Sequence, residues 1–181
     1  MKKKITPSAL AEELTNEIRS FSAPVLAKKV LEHQQLPELI ELALATDHLL
    51  SSRAMWVLGH CSDLDYDSLK PYHARLIKNL EKKGLHNGVI RNTLRLFQQH
   101  PVPKAYESFL LDTCYNYIND PAEAIAVRAF AIRIVFNISK PYPELITELY
   151  NVLNHLNIYD EPPGIKSRVK NTIKDIHKLL K

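Results

Sequence analysis

The densest run of side chains able to do chemistry is residues 59–67, GHCSDLDYD. His60, Cys61 and the carboxylates of Asp63, Asp65 and Asp67 are the donor types a transition metal takes, and the alternating aspartates suit calcium. A calcium loop also needs Gly at its sixth position and Glu at its twelfth. Counted from Asp63, those places hold Ser68 and Ala74. A structural zinc site asks for paired Cys/His spacings, and the chain has none. The run therefore reads as a loop between helices whose aspartates cap the next helix, with no metal.

Nucleophile chemistry is equally sparse. Cys61 and Cys114 lie far apart and form no CxxC pair, as suits two small core residues in a reducing cytoplasm. No GxSxG or HExxH occurs, and with only 4 Gly a glycine-rich phosphate loop is disfavoured. Trp56 is the one tryptophan, set in an apolar stretch that reads as core. These absences predict a protein with no catalytic residues and no cofactor.

The elements are more informative. Residues 122–140 (AEAIAVRAFAIRIVFNISK) are apolar almost all round. At ~100° per residue, Glu123, Ala126, Phe130, Arg133 and Asn137 share one narrow face, and the remaining faces need covering by other helices. Stretches like this recur. SSRAMWVL, VIRNTLRL, AVRAFAIR and KSRVKNTI align on Arg53, Arg91, Arg128 and Arg168, separated by 38, 37 and 40 residues. A period of ~40 with two helices per repeat is that of a HEAT or armadillo-type solenoid. Asp47 stands six residues before Arg53, and here the chain resembles the HEAT-repeat family, whose units often carry that pair. The equivalent places before the other arginines hold Leu85, Ala122 and Pro162. The resemblance implies an all-α fold, a right-handed α-solenoid of about five stacked helix pairs, with residues 1–181 as a single domain. It also implies that the four arginines are structural, partly buried and bonded to neighbouring repeats.

Prolines and caps divide the chain into about ten helices. They are expected over 8–19, from Pro24, from Pro37, around Arg53, over 68–83, 86–100, 104–118, 122–140, 144–156 and 165–180. The inner face of the last is expected to be Val169, Ile173, Ile176 and Leu180. The wider resemblance is to short bacterial HEAT-like proteins with similar SxRAxWVL and AVxAxx stretches, some of which carry an adenylosuccinate lyase label. The lyases themselves have a mobile loop resembling SSxMPxKxN. This chain has Ser51-Ser52-Arg53-Ala54-Met55 without the following proline, lysine and asparagine, so lyase chemistry is not expected.

Charge adds a second theme. The chain carries +4 overall, but residues 163–181 hold six basic side chains against one acid, and Lys2, Lys3 and Lys4 add three more. The stretch between is mildly acidic. No apolar run approaches the length of a membrane span. The expected function is a non-enzymatic scaffold that holds a protein or peptide partner on a concave helical surface, in the cytoplasm and as a monomer. The alternative is a nucleic-acid-associated protein that uses the basic C-terminal helix. Fixed offsets from the aligned arginines put Met55, His86, Thr93, His100, Phe130, Arg133, Asn137 and Lys170 on that surface, an apolar middle between polar rims.

Overall fold

A proline in the first turn or a capping side chain starts several of the helices. In the computed structural model, which describes residues 8–15, 21–156 and 159–180, ten α-helices occur among the described residues. The chain divides into two compact units, Met1–Thr93 and Leu94–Lys181.

The first unit holds α1 (Ala9–Thr15), α2 (Ala23–Glu32), α3 (Leu36–Ala43), α4 (His48–Leu64) and α5 (His73–Lys78). The expected start of the first helix holds; its expected end, at Arg19, lies outside the described residues. Pro24 and Pro37 sit in the first turns of α2 and α3, where a missing N–H costs nothing. Asp47 caps α4, its carboxylate accepting the Leu50 N–H at 2.8 Å. Helices α1, α2 and α3 all pack on α4. Leu14, Val30, Leu39, Ile40, Val57 and Leu58 are wholly buried there. The single helix expected over 68–83 is instead a 3-10 turn (Asp67–Tyr72), α5, and a second 3-10 turn (Asn79–Glu81). Pro71 lies inside the first turn and lacks the N–H that an α-helix would use.

Helix α6 (Asn87–Gln99) crosses the division between the units. The second unit continues with α7 (Glu107–Asn119), α8 (Ile125–Ser139), α9 (Pro143–His155) and α10 (Pro163–Leu179). Helix α8 is the centre of this unit: α7, α9 and α10 all pack on it, and its nine buried residues run from Val127 to Ser139. The buried face of α10 is Ile165, Val169, Thr172 and Ile176. Leu180, expected inside, follows the end of that helix and is 65% exposed.

Burial corrects the repeat register. In α4 the buried residues are Ser51, Ala54, Met55, Val57, Leu58, Gly59, Cys61 and Ser62. In α8 they match one for one if Ser51 is set against Arg128: Ala131, Ile132, Ile134, Val135, Phe136, Ile138 and Ser139 follow at the same offsets. Val89 begins the same phase in α6, and Ile165 in α10. These anchors are separated by 38, 39 and 37 residues, so the period stands. The alignment on arginines does not: it is displaced by two residues in α4 and α6 and by three in α10.

Candidate functional site

The metal-like run, expected to be a loop between helices, is mostly helix: residues 59–64 are the last turns of α4, and only Asp65 and Tyr66 link it to the 3-10 turn that follows. Cys61 is buried, its Sγ turned toward the Ala27 carbonyl oxygen at 3.8 Å. Asp65 accepts the Ser68 N–H at 3.2 Å and Asp67 pairs with Lys70 at 2.6 Å. Among the described residues no three or more His, Cys, Asp or Glu side chains converge as a metal site.

The four arginines differ in role. Arg53 donates to the Leu14 carbonyl at 2.7 Å and its guanidinium lies 5.0 Å from the Phe21 ring centroid. Arg128 is buried and forks onto Glu161 at 2.6 and 2.7 Å, while Nε and Nη2 donate to the Ile118 carbonyl. Arg168 is half-buried; burial, and then the nearby Arg133, hold its guanidinium below its usual pKa against the opposing pull of Asp175. Arg91 is exposed, contrary to the expected buried place. The α6 residue that reaches back is its neighbour Asn92, whose amide donates to the Ser52 carbonyl at 3.4 Å.

The expected apolar strip is also corrected. Met55 and Thr93 are each 1% exposed, and the Thr93 hydroxyl donates to the Val89 carbonyl. Neither can face a partner. In α4 and α8 the less buried positions lie two, five and nine residues after the anchor; in α6 the middle one is Leu94, which is wholly buried. In α8 these are Phe130, Arg133 and Asn137; in α4 they are Arg53, Trp56 and His60. Trp56, read from sequence as core, is 41% exposed and lies against Phe21 and His60, with ring centroids 5.5 and 6.2 Å away. Lys170 takes the Arg133 place in α10 and is exposed. His86 is exposed too, but its Nδ1 accepts the Gly88 N–H at 3.1 Å, so the Ser52 hydroxyl 2.7 Å away must donate to it. That contact pins residues 86–88 to α4. A Cβ on Gly88 would fall 2.6 Å from the Ser52 Oγ.

His100, Arg133 and Asn137 do come together. With Gln98, Gln99, Pro101 and Lys140 they line an open recess of about 470 Å³ at the C-terminal ends of α6 and α8. Asn137 donates to the Gln98 carbonyl at 2.9 Å, which ties the two helix ends together. Arg133 pairs with Asp175 of α10 at 3.0 Å. Arg133 and Lys140 both lie over the buried Phe136 ring, at 5.4 and 5.1 Å, a contact that favours cations held there. Lys140 was not singled out in the sequence, though its place just past the end of an apolar helix is a signal that was available. Asp175 was unforeseen because its partner lies 42 residues away.

No helix among the described residues is long and apolar enough to cross a membrane. No curated protein and no solved structure matches the chain. Against known families, a HEAT repeat domain matches residues 10–176, most of the chain, in line with its all-α helix pairs. The chain belongs to the HEAT repeat family.

Proposed function

We propose that this protein is a non-catalytic scaffold that binds a protein or peptide partner, and that it does so with the uncovered faces of its second helices. HEAT repeats commonly serve as protein-interaction scaffolds and are generally not enzymes. The observation that carries the reading is the chemistry left open by the burial register. One unit offers Arg53, Trp56 and His60; the other offers Phe130, Arg133 and Asn137. Tryptophan and arginine are the side chains most enriched where binding energy concentrates. We place the protein in the cytoplasm as a monomer. A photo-crosslinking side chain at position 56 or 137 should give the same discrete protein adduct in cells, and one at Lys104 should not. The purified partner should then bind Trp56→Ala about tenfold or more weakly, with helicity unchanged. Equal adducts from all three positions would remove the reading.

A second reading rests on α10. Lys170, Lys174, His177 and Lys178 line a shallow groove of about 340 Å³, a basic edge of the kind that contacts phosphates. If nucleic acid is the partner, Lys170→Glu with Lys174→Glu and Lys178→Glu should abolish retention on immobilised DNA. Unchanged retention disposes of that reading.

A further inference from the structure

We propose that the cavity where α4 and α6 begin is a phosphoryl subsite that seats a phosphate monoester group. It stands apart from the scaffold reading, which uses other side chains further along α4.

The cavity, of about 180 Å³, lies wholly within the first unit. The chain just after α3, the first turn of α4, the 82–85 connection and the first turn of α6 enclose it. His48, Lys82, Lys83 and His86 line it, together with the buried Ser51 and Val89. No carboxylate does so among the described residues. The acids next in sequence, Asp47 and Glu81, stay outside the lining, and Asp47 is committed to the Leu50 N–H. Two ammonium groups therefore belong to the wall with no acid between them. Two helices begin here and α3 ends here, so the helix ends add roughly half a positive charge more.

The donors are held in place before any ligand arrives. Lys82 Nζ donates to the Leu44 carbonyl at 3.2 Å, which anchors the head of the side chain and leaves two of its three N–H groups to donate elsewhere. Gly84, at φ +72°, turns the chain between Lys83 and His86. The His86 ring is fixed through Nδ1, which accepts from Ser52 and Gly88. Its proton is then on Nε2, which makes Nε2 a donor. The His48 ring lies beside it, centroids 5.8 Å apart, and its nitrogens make no hydrogen bond among the described residues. Lys83 pairs with no acid among them either.

Size and charge select the occupant. Sites for whole small molecules run to about 300–1,000 Å³, so this cavity takes a group and not a nucleotide. A phosphate monoester carries about −1.5 to −2 charges at pH 7 and three acceptor oxygens, a match for two ammonium groups beside two imidazoles. A carboxylate offers one charge and two oxygens. A backbone phosphodiester also carries one charge and is substituted on both sides, so a nucleic-acid strand brings less charge and more bulk to the same opening.

The test uses the full-length protein in phosphate-free buffer, followed by amide NMR. Inorganic phosphate and O-phosphoserine should each shift His48, Gly84 and His86 saturably, and acetate at equal ionic strength should not. Lys82→Ala with Lys83→Ala should weaken phosphate binding about tenfold or more, as two charge-assisted contacts are lost. Both lysines are exposed, so helicity should be unchanged. Lys83→Ala alone, which removes no bond of the fold, is the second variant and should weaken binding about threefold or more. The triple α10 substitution Lys170→Glu, Lys174→Glu and Lys178→Glu removes more charge elsewhere and should change binding less than about twofold, as screened charges outside the cavity do. A phosphoserine peptide that binds more tightly than O-phosphoserine supports the subsite with a partner's modified side chain as its source; equal affinity supports it with a small phosphoester. Equal shifts with acetate, or equal losses in the cavity and α10 variants, would show attraction to net charge and overturn the subsite. So would the absence of saturable shifts, or an oligothymidylate without a terminal phosphate that binds more tightly than phosphate with the same dependence on Lys83.

Discussion

Arg128 joins three parts of the second unit. Its guanidinium is buried with Glu161, their side chains 4% and 11% exposed, and it also holds the Ile118 carbonyl. Through it the stretch leading into α10 is tied to α7 and α8. Truncation to alanine strands a buried carboxylate and a carbonyl, so Arg128→Ala should cost about 3 kcal/mol. Lys104→Ala, at an exposed site, should change stability by less than about 0.5 kcal/mol. Urea unfolding of both variants checks the difference, and equal midpoints would contradict it. The sequence makes Arg128 conspicuous, because a charge in so apolar a helix must be paired. It does not reveal that Arg91 is exposed. An arginine reads the same whether it lies inside or one face away, and a shift of two residues turns a helix by about 200°. The same shift sent Met55 and Thr93 into the core and brought Trp56 to the surface. Asp175 and Glu161, the acids that complete the arginine pairs, lie 42 and 33 residues from their partners. Only the packing of helices brings them close.

At the scale of the element, helix starts were easier to read than helix ends. Prolines and Asp47 act locally, so the starts of α2, α3 and α4 fall where their residues put them. The end of α2 depends on a backbone conformation with no side-chain signature. Gln34 has φ +55°, and the Gln35 N–H reaches back to the Val30 carbonyl at 2.9 Å. That pattern is a Schellman ending, which glycine fills best. A side chain in the left-handed region costs about 1–2 kcal/mol, part of which glycine gives back through unfolded-state entropy. Gln34→Gly should therefore stabilise the protein by about 0.5 kcal/mol. Asp47→Ala should destabilise it by about 1 kcal/mol, since the Leu50 N–H loses its cap. Thermal melts of the two variants should move in opposite directions. A fall in melting temperature for Gln34→Gly would mean that the Gln34 side chain has a role the backbone account omits.

For the whole molecule, the period was legible because the aligned arginines stay within two or three residues of a burial phase that returns every 37 to 39 residues. How independently the two units melt was not legible, because that depends on shared contacts and not on pattern. We propose that residues 1–181 unfold as one domain, since α6 belongs to both units: Val89 and Ile90 are buried on one side of the division and Leu94, Leu96 and Phe97 on the other. Separating the units would break a continuous helix. Trp56, the only tryptophan, reports on the first unit, while helical circular dichroism reports on both. Alkali sharpens the test. Burial pushes the Cys61 thiol up to about 12 and raises Cys114 further. Burial also raises Tyr117 to about 12, and Tyr115 upward with help from Glu148. In the unfolded chain these groups ionise near pH 8.5 and 10. Above those values the unfolded state has given up protons that the folded state keeps, so stability falls as pH rises, by about 1.4 kcal/mol per pH unit for each such group. Cys61 lies in the first unit, as does Tyr66, which burial also raises; the other three lie in the second. One cooperative domain predicts that Trp56 fluorescence and helicity are lost at a single midpoint at pH 8 and at pH 11, the common midpoint falling between them. Independent units would coincide less and less as pH rises, with helicity lost first while Trp56 keeps its native emission, and that separation would refute the single domain.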